Sequence, residues 1–154
     1  MARVLFVMTF ARASRQLVGD AVIASVAMTG SQRAEMFITS RPPSEVPVRV
    51  VEGLTGRRVP DGLARWSVGH LAQGGLAVQA VAFARFTRKW PPVLAAIVNA
   101  SALVFGDALL AHRAGAVDPL TSWAPADVGI DVLHKASLAG AATALTRRRQ
   151  WATR

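Results

Sequence analysis

The chain of 154 residues contains no cysteine and no tyrosine. Without cysteine there are no disulfides, no thiolate nucleophile and no cysteine-ligated metal centre. Histidine is nearly missing: His70, His112 and His134 are the three present, and they show no metal-ligand spacing of the HExxH kind. Acidic side chains are scarce, 9 against 18 basic ones, for a formal charge of +9. Serine, histidine and aspartate occur, but no nucleophile elbow or glycine-rich phosphate loop accompanies them. These absences lead to the expectation of no enzyme activity, no metal and no cofactor.

What is abundant is apolar. Hydrophobic residues make up 52% and charged residues 18%, and the mean hydropathy is +0.33. A charge of +9 usually suggests nucleic acid. Here the basic residues flank apolar segments, where membrane topology explains them, so nucleic acid is not an expected partner. The length allows one small soluble domain or about four membrane helices with their connections.

The stretch 92–111 decides between these. It carries one ionisable group, Asp107, and shows no polar face. Wound as a helix at 1.5 Å per residue it reaches about 30 Å, the thickness of a bilayer's hydrocarbon core. The remaining apolar stretches then read as companions, at 17–37, 64–86 and 127–145, with the third span at 92–112. The expected fold is an all-α integral membrane protein, a small bundle of about four transmembrane helices within residues 17–146. Residues 1–16, with Arg12 and Arg15, read as an interfacial segment or as the first turns of a longer helix. Arg3, the run 4–10 and Ala11-Arg12-Ala13 imitate a signal peptide, but the run is short and is expected to be retained.

The segment 40–62 is polar. Pro42 and Pro43 stop a helix, and Ser44 reads as the N-cap of a short helix reaching Leu54, with Val46, Val50, Val51 and Leu54 as its apolar edge. Trp123, in the loop before the fourth span, reads as an interfacial anchor. Residues 147–154 form a basic tail, and Arg147, Arg148 and Arg149 are candidate contacts for lipid headgroups. Ten basic residues lie on the side of the two termini and six on the other, with Arg33 and Lys135 embedded. Both termini are therefore expected in the cytoplasm of a multi-pass protein of the inner (plasma) membrane.

Two groups of residues are candidates for function. Glu35, His70, Asp107, Asp131, His134 and Lys135 all fall within roughly 12 Å of the outer surface when each helix is measured at 1.5 Å per residue. Ionisable groups at such depth face a bundle interior and pair. The cluster reads as a structural ion-pair network, with a polar pocket or proton relay as the functional alternative; Asp131 and Lys135 can pair by themselves, one turn apart. The second group is of small residues: Ala21/Ser25/Thr29, Ala80/Ala84, Ala102/Gly106 and Ala136/Gly140/Ala144 give each helix a close-contact stripe. Ala102, Gly106, Ala136, Gly140 and Ala144 are the expected docking interface.

Ala27-Met28-Thr29, Glu35 and the turn Arg41-Pro42-Pro43-Ser44 carry a resemblance, as do Phe105-Gly106-Asp107 and the Asp131/His134 helix. Over roughly 22–145 the chain resembles small four-helix actinobacterial membrane proteins of unknown function, the YagU-like proteins. Its alanine- and arginine-rich composition is similar to that of mycobacterial proteins. The resemblance implies a small accessory membrane subunit, with a mammalian-cell-entry lipid-uptake transporter as the complex it points to. The expected partners are a larger integral membrane complex and membrane lipids. A small proton-coupled carrier is the alternative.

Overall fold

The computed structural model describes the backbone of residues 2–151 and the side chains of residues 11 and 13–149. These contain five α-helices and no strand: α1 (Ala2–Thr39), α2 (Val46–Thr55), α3 (Leu63–Phe86), α4 (Pro92–Arg113) and α5 (Pro125–Trp151). A single 3-10 turn at Leu120–Ser122 interrupts the last loop.

Proline and glycine set most of the boundaries. Ser40 leaves α1 with a positive φ of 56°, and the following Pro42 and Pro43 cannot rejoin a helix. Pro47 stands in the first turn of α2, and Gly56 closes that helix in the left-handed conformation, its N–H donating to the Glu52 carbonyl. Pro91 and Pro92 turn the chain from α3 into α4, with Pro92 in the first turn, where a missing N–H costs nothing. Ser44 does not cap α2 as expected: Glu45 holds the N-cap position, and the Ser44 hydroxyl accepts from the Val46 N–H at 3.3 Å.

Two expected boundaries are erased. α1 begins at Ala2 and runs through position 16 without a break, so 2–16 form the first turns of one longer helix, the second of the two expected readings. Arg15 is exposed, whereas the Arg12 side chain lies outside the described residues. α5 likewise continues to Trp151, which makes Arg147–Arg149 its last turns and no tail; residues 152–154 lie outside the description.

α5 occupies the middle of the bundle and packs against α1, α3 and α4. α3 also packs on α1 and α4, and α2 rests across α3 and α4. One end thus holds the tight α3–α4 hairpin and the end of α5; we term it the hairpin end. The opposite, loop end holds α2 and the long connections. The core is built of small residues: Ala21, Ala24, Ala77, Ala80, Ala84, Ala139 and Ala142 are buried together with Met28, Val81, Leu103 and Leu138. Alanine lets helix backbones approach closely, and dispersion contacts accumulate along the seam.

α2 docks by most of the edge its periodicity suggested, with Val50 buried and Val46 packed beside it, but Val48 joins that face and Leu54 leaves it. Val48 and Val50 are buried, whereas Leu54 is exposed. Val50 packs on Ala111 and Ala116, and Val48 lies against Gly69 of α3. Because α2 is covered from two directions, no single edge decides its packing.

By length and apolarity α4 alone among the described helices qualifies as a membrane span, with a mean hydropathy of 2.0 over its most apolar window. The expected four spans are thus matched by four long helices but by one span on this criterion. Asp20, Arg33 and Glu35 lower the hydropathy of α1; His70, Gln73 and Gln79 lower that of α3; Asp131, His134 and Lys135 lower that of α5.

Candidate functional site

The α4–α5 interface near the loop end buries a lysine. Lys135 is 2% exposed, and its Nζ lies 2.8 Å from Asp107 Oδ2 across the interface. It also contacts Asp131 Oδ1, one helical turn earlier on α5. Two carboxylates on one ammonium satisfy the charge that burial would otherwise expel. Asp131 Oδ2 is buried without a hydrogen-bond partner.

His134, the next residue on α5, turns toward α1. Its Nδ1 is 2.9 Å from the Ser31 hydroxyl, and that hydroxyl donates to the Met28 carbonyl. With the hydroxyl hydrogen so used, the imidazole donates through Nδ1 and Ser31 Oγ accepts. Glu35, one turn further along α1, accepts from the Thr39 hydroxyl at 2.7 Å. Asp107, Asp131 and Lys135 therefore form one ion cluster, with His134 beside it on α5 and turned toward α1.

His70 does not join them. It is exposed, and its ring stacks on Trp66 with centroids 4.1 Å apart. The fully buried residues of α3 all lie in its second half, from Ala77 to Ala84, and His70 lies on a side of the helix that α2 does not cover. Trp123 is tied to the loop, its Nε1 donating to the Asp118 carbonyl at 2.9 Å. The loop end is further clamped by Arg41–Asp127 at 2.6 Å. Arg65 bridges Glu45 at 3.0 Å and Glu52 at 3.1 Å, and these residues border an open polar depression of about 550 Å³.

A second ion cluster, at the hairpin end, was not anticipated. Asp20 is fully buried; Arg85 reaches its Oδ2 at 3.0 Å and Arg149 its Oδ1 at 2.7 Å. Arg85 also donates to the Ala13 carbonyl, and Arg147 donates to the Trp90 carbonyl. Arg149 and Arg147, read from sequence as lipid contacts, are thus engaged with protein groups, while Arg148 is exposed. The signal for Asp20 was present: a lone carboxylate in the apolar part of α1 needs a cation. Its partners lie 65 and 129 residues away, and only the fold brings them near.

Between the clusters the interior is neutral. Asn99 is fully buried; its amide donates to the Ala80 carbonyl at 3.0 Å, and its Oδ1 has no partner. Thr146 bonds back to the Ala142 carbonyl at 2.9 Å. No group of three or more carboxylate and imidazole side chains is placed to hold a metal among the described residues.

The small-residue stripes divide. Ala21, Ala80 and Ala84 are buried in the bundle. Ala102, Gly106, Ala136 and Ala144 are exposed and Gly140 is half-buried. A β-carbon added at Gly106 or Gly140 would meet no atom within 4 Å. Comparison with protein-family models, with curated proteins and with solved structures gave no match to this chain.

Proposed function

We propose that this chain is a membrane-embedded four-helix bundle that acts as a non-catalytic accessory subunit, docking on a larger integral membrane complex. The observation that carries the reading is an inverted distribution of side chains. The interior holds alanine, Asn99, Asp20 and Lys135, while Val22, Val26, Ile97 and Phe105 are each more than half exposed on the outside. In water such an exterior favours aggregation; in lipid it is the ordinary outer face of a helix bundle. Asp20 on α1 and Asp131, His134 and Lys135 on α5 depress the hydropathy of their helices and are largely buried and paired, as ionisable groups in a bilayer must be. Arg33 on α1 and His70 and Gln79 on α3 are exposed, so inward pairing accounts for the low hydropathy of α5 and for part of that of α1.

Docking is supported by the outward stripes on α4 and α5. Gly106 and Gly140 on them have room for a β-carbon, so a partner helix can approach their backbones closely. A lipid-uptake transporter is our proposed class of partner, following the actinobacterial resemblance, with the inner membrane as the site. Lys135, enclosed by carboxylates from its own and a neighbouring helix, favours a structural role for the loop-end cluster over a transport site. The alternative, a small proton-coupled carrier, draws on the unpartnered Asp131 oxygen.

The test uses glycine positions where the monomer itself has space. Gly140→Leu and Gly106→Leu are expected to abolish copurification of membrane proteins from native membranes while the chain stays in the membrane fraction. Copurification undiminished by both substitutions would reject the docking surface. Loss of solute uptake in Asp131→Asn or His70→Ala, with assembly intact, would establish the carrier instead.

A further inference from the structure

We infer that the hairpin end of the bundle is a binding site for an anionic phospholipid, its phosphate held between the α3–α4 hairpin and the last turns of α5. The inference rests on the membrane reading above and gives it a ligand. Asp20 is the sole carboxylate in the described segments that meet there, and it faces Arg85 and Arg149. Around that trio stand Arg15, Arg88, Lys89, Arg147 and Arg148, with no further acid among 13–20, 84–95 and 144–149.

The trio is built and not merely crowded. Asp20 is 0% exposed, and each of its oxygens is engaged: Oδ2 by Arg85, Oδ1 by Arg149 through both Nη2 and Nε. Two guanidiniums converge on one carboxylate. Their side chains are 29% and 47% exposed, so they reach the surface from a buried anchor. Arg147, bonded to the Trp90 carbonyl, fixes the end of α5 to the hairpin. Planar guanidiniums held in place suit the paired oxygens of a phosphodiester.

The same hairpin exposes Phe86, Trp90, Val93 and Leu94, at 79%, 41%, 70% and 46%. Cations beside an apolar collar match a molecule with a phosphate at one end and acyl chains at the other. A soluble phosphate or a nucleic acid would use the cations alone. The ligand is therefore a lipid.

The test titrates the purified full chain, reconstituted in phosphatidylcholine nanodiscs, with phosphatidylglycerol and reads retained lipid by native mass spectrometry. Phosphatidylglycerol is expected to be retained on the order of tenfold over phosphatidylcholine. Arg88→Gln with Lys89→Gln is expected to remove most of that preference, leaving phosphatidylglycerol retained at most about twofold over phosphatidylcholine. Arg57→Gln with Arg58→Gln, the same change of charge at the loop end, is expected to leave it unchanged, and equal losses in both would overturn the site. Asp20→Asn separates a built site from diffuse attraction: it raises the net positive charge, yet is expected to reduce the preference because both guanidiniums lose their anchor. A stronger preference in Asp20→Asn, or displacement of the lipid by an equal concentration of glycerol phosphate, would overturn the inference. Incorporation into nanodiscs without lipid preference would remove this site and leave the membrane reading standing. A chain that stays dispersed in buffer without detergent would remove both.

Discussion

Lys135 and Asp107 meet across the α4–α5 interface at 2.8 Å, with the lysine side chain 2% exposed and the aspartate 33%. Removing the cation strands two carboxylates. Lys135→Met is expected to cost stability toward the lower end of the roughly 3–5 kcal/mol typical of breaking a buried pair, since both carboxylates keep some exposure. Asp107→Asn keeps a hydrogen-bond acceptor for the ammonium and is expected to cost less than Asp107→Leu. Unfolding of the three variants in detergent, followed by circular dichroism, ranks them. Stability of Lys135→Met equal to the parent would mean that the pair contributes nothing.

Gly53 is the contact by which α2 sits on the end of α4. A β-carbon there would lie 1.9 Å from the Ala114 carbonyl oxygen, a backbone atom with no rotamer to move. Gly53→Ala is expected to lift α2 or shift the end of α4, at a cost of roughly 1–3 kcal/mol for forced overpacking. Faster protease cleavage between 40 and 62 in the variant, with the four long helices intact, is the expected readout. By contrast Gly106→Ala, where a β-carbon meets no atom within 4 Å, is expected to leave the cleavage rate unchanged.

The α2–α3 connection carries a pH dependence. The Val59 N–H, donating to Glu52 Oε1 at 2.9 Å, holds the Glu52 carboxyl below its ordinary value, and Arg65 assists against the opposing effect of desolvation. A carboxyl lowered in the folded state stabilises it above the unfolded value, about 4.3, and that contribution is lost as pH falls through the folded value. The protection of the Val59 amide, its exchange rate set against the intrinsic rate at the same pH, is therefore expected to be high at neutral pH and to fall below about pH 4. Glu52→Gln should abolish that acid-dependent step. Protection of the Val59 amide in the parent that is unchanged over this pH range would refute the assignment.

Orientation in the membrane can be read directly, because the chain has no cysteine of its own. With Ser44→Cys and Thr153→Cys placed singly, an impermeant thiol reagent on intact cells is expected to label position 44 and spare position 153. The reverse pattern would invert the topology.

Helix ends were legible where proline or a basic cluster marks them. The expected spans 64–86 and 92–112 differ by a residue or so from Leu63–Phe86 and Pro92–Arg113, because Pro91-Pro92 and Gly62 are local signals. The division of α1 at residue 16 followed a change in polarity, which alters where a helix can sit without altering whether it continues. The pairing of Lys135 with Asp131 was legible from i,i+4 spacing. Its pairing with Asp107 and the capture of Asp20 by Arg85 and Arg149 depend on the register between helices, which no local pattern encodes. Depth alone placed His70 with the cluster, but depth says nothing of the direction a side chain takes around its helix.

The alanine seam constrains how this chain can drift over generations. Ala24, Ala80, Ala139 and Ala142 are fully buried where backbones pass one another, so any added methyl group pushes two helices apart. Outward positions such as Val26, Ile97 and Phe105 are more than half exposed and can exchange one apolar shape for another at little cost. Among descendants of this sequence the bulky residues are free to wander and the smallest ones are pinned, the reverse of the pattern in a protein whose core is made of leucine and phenylalanine.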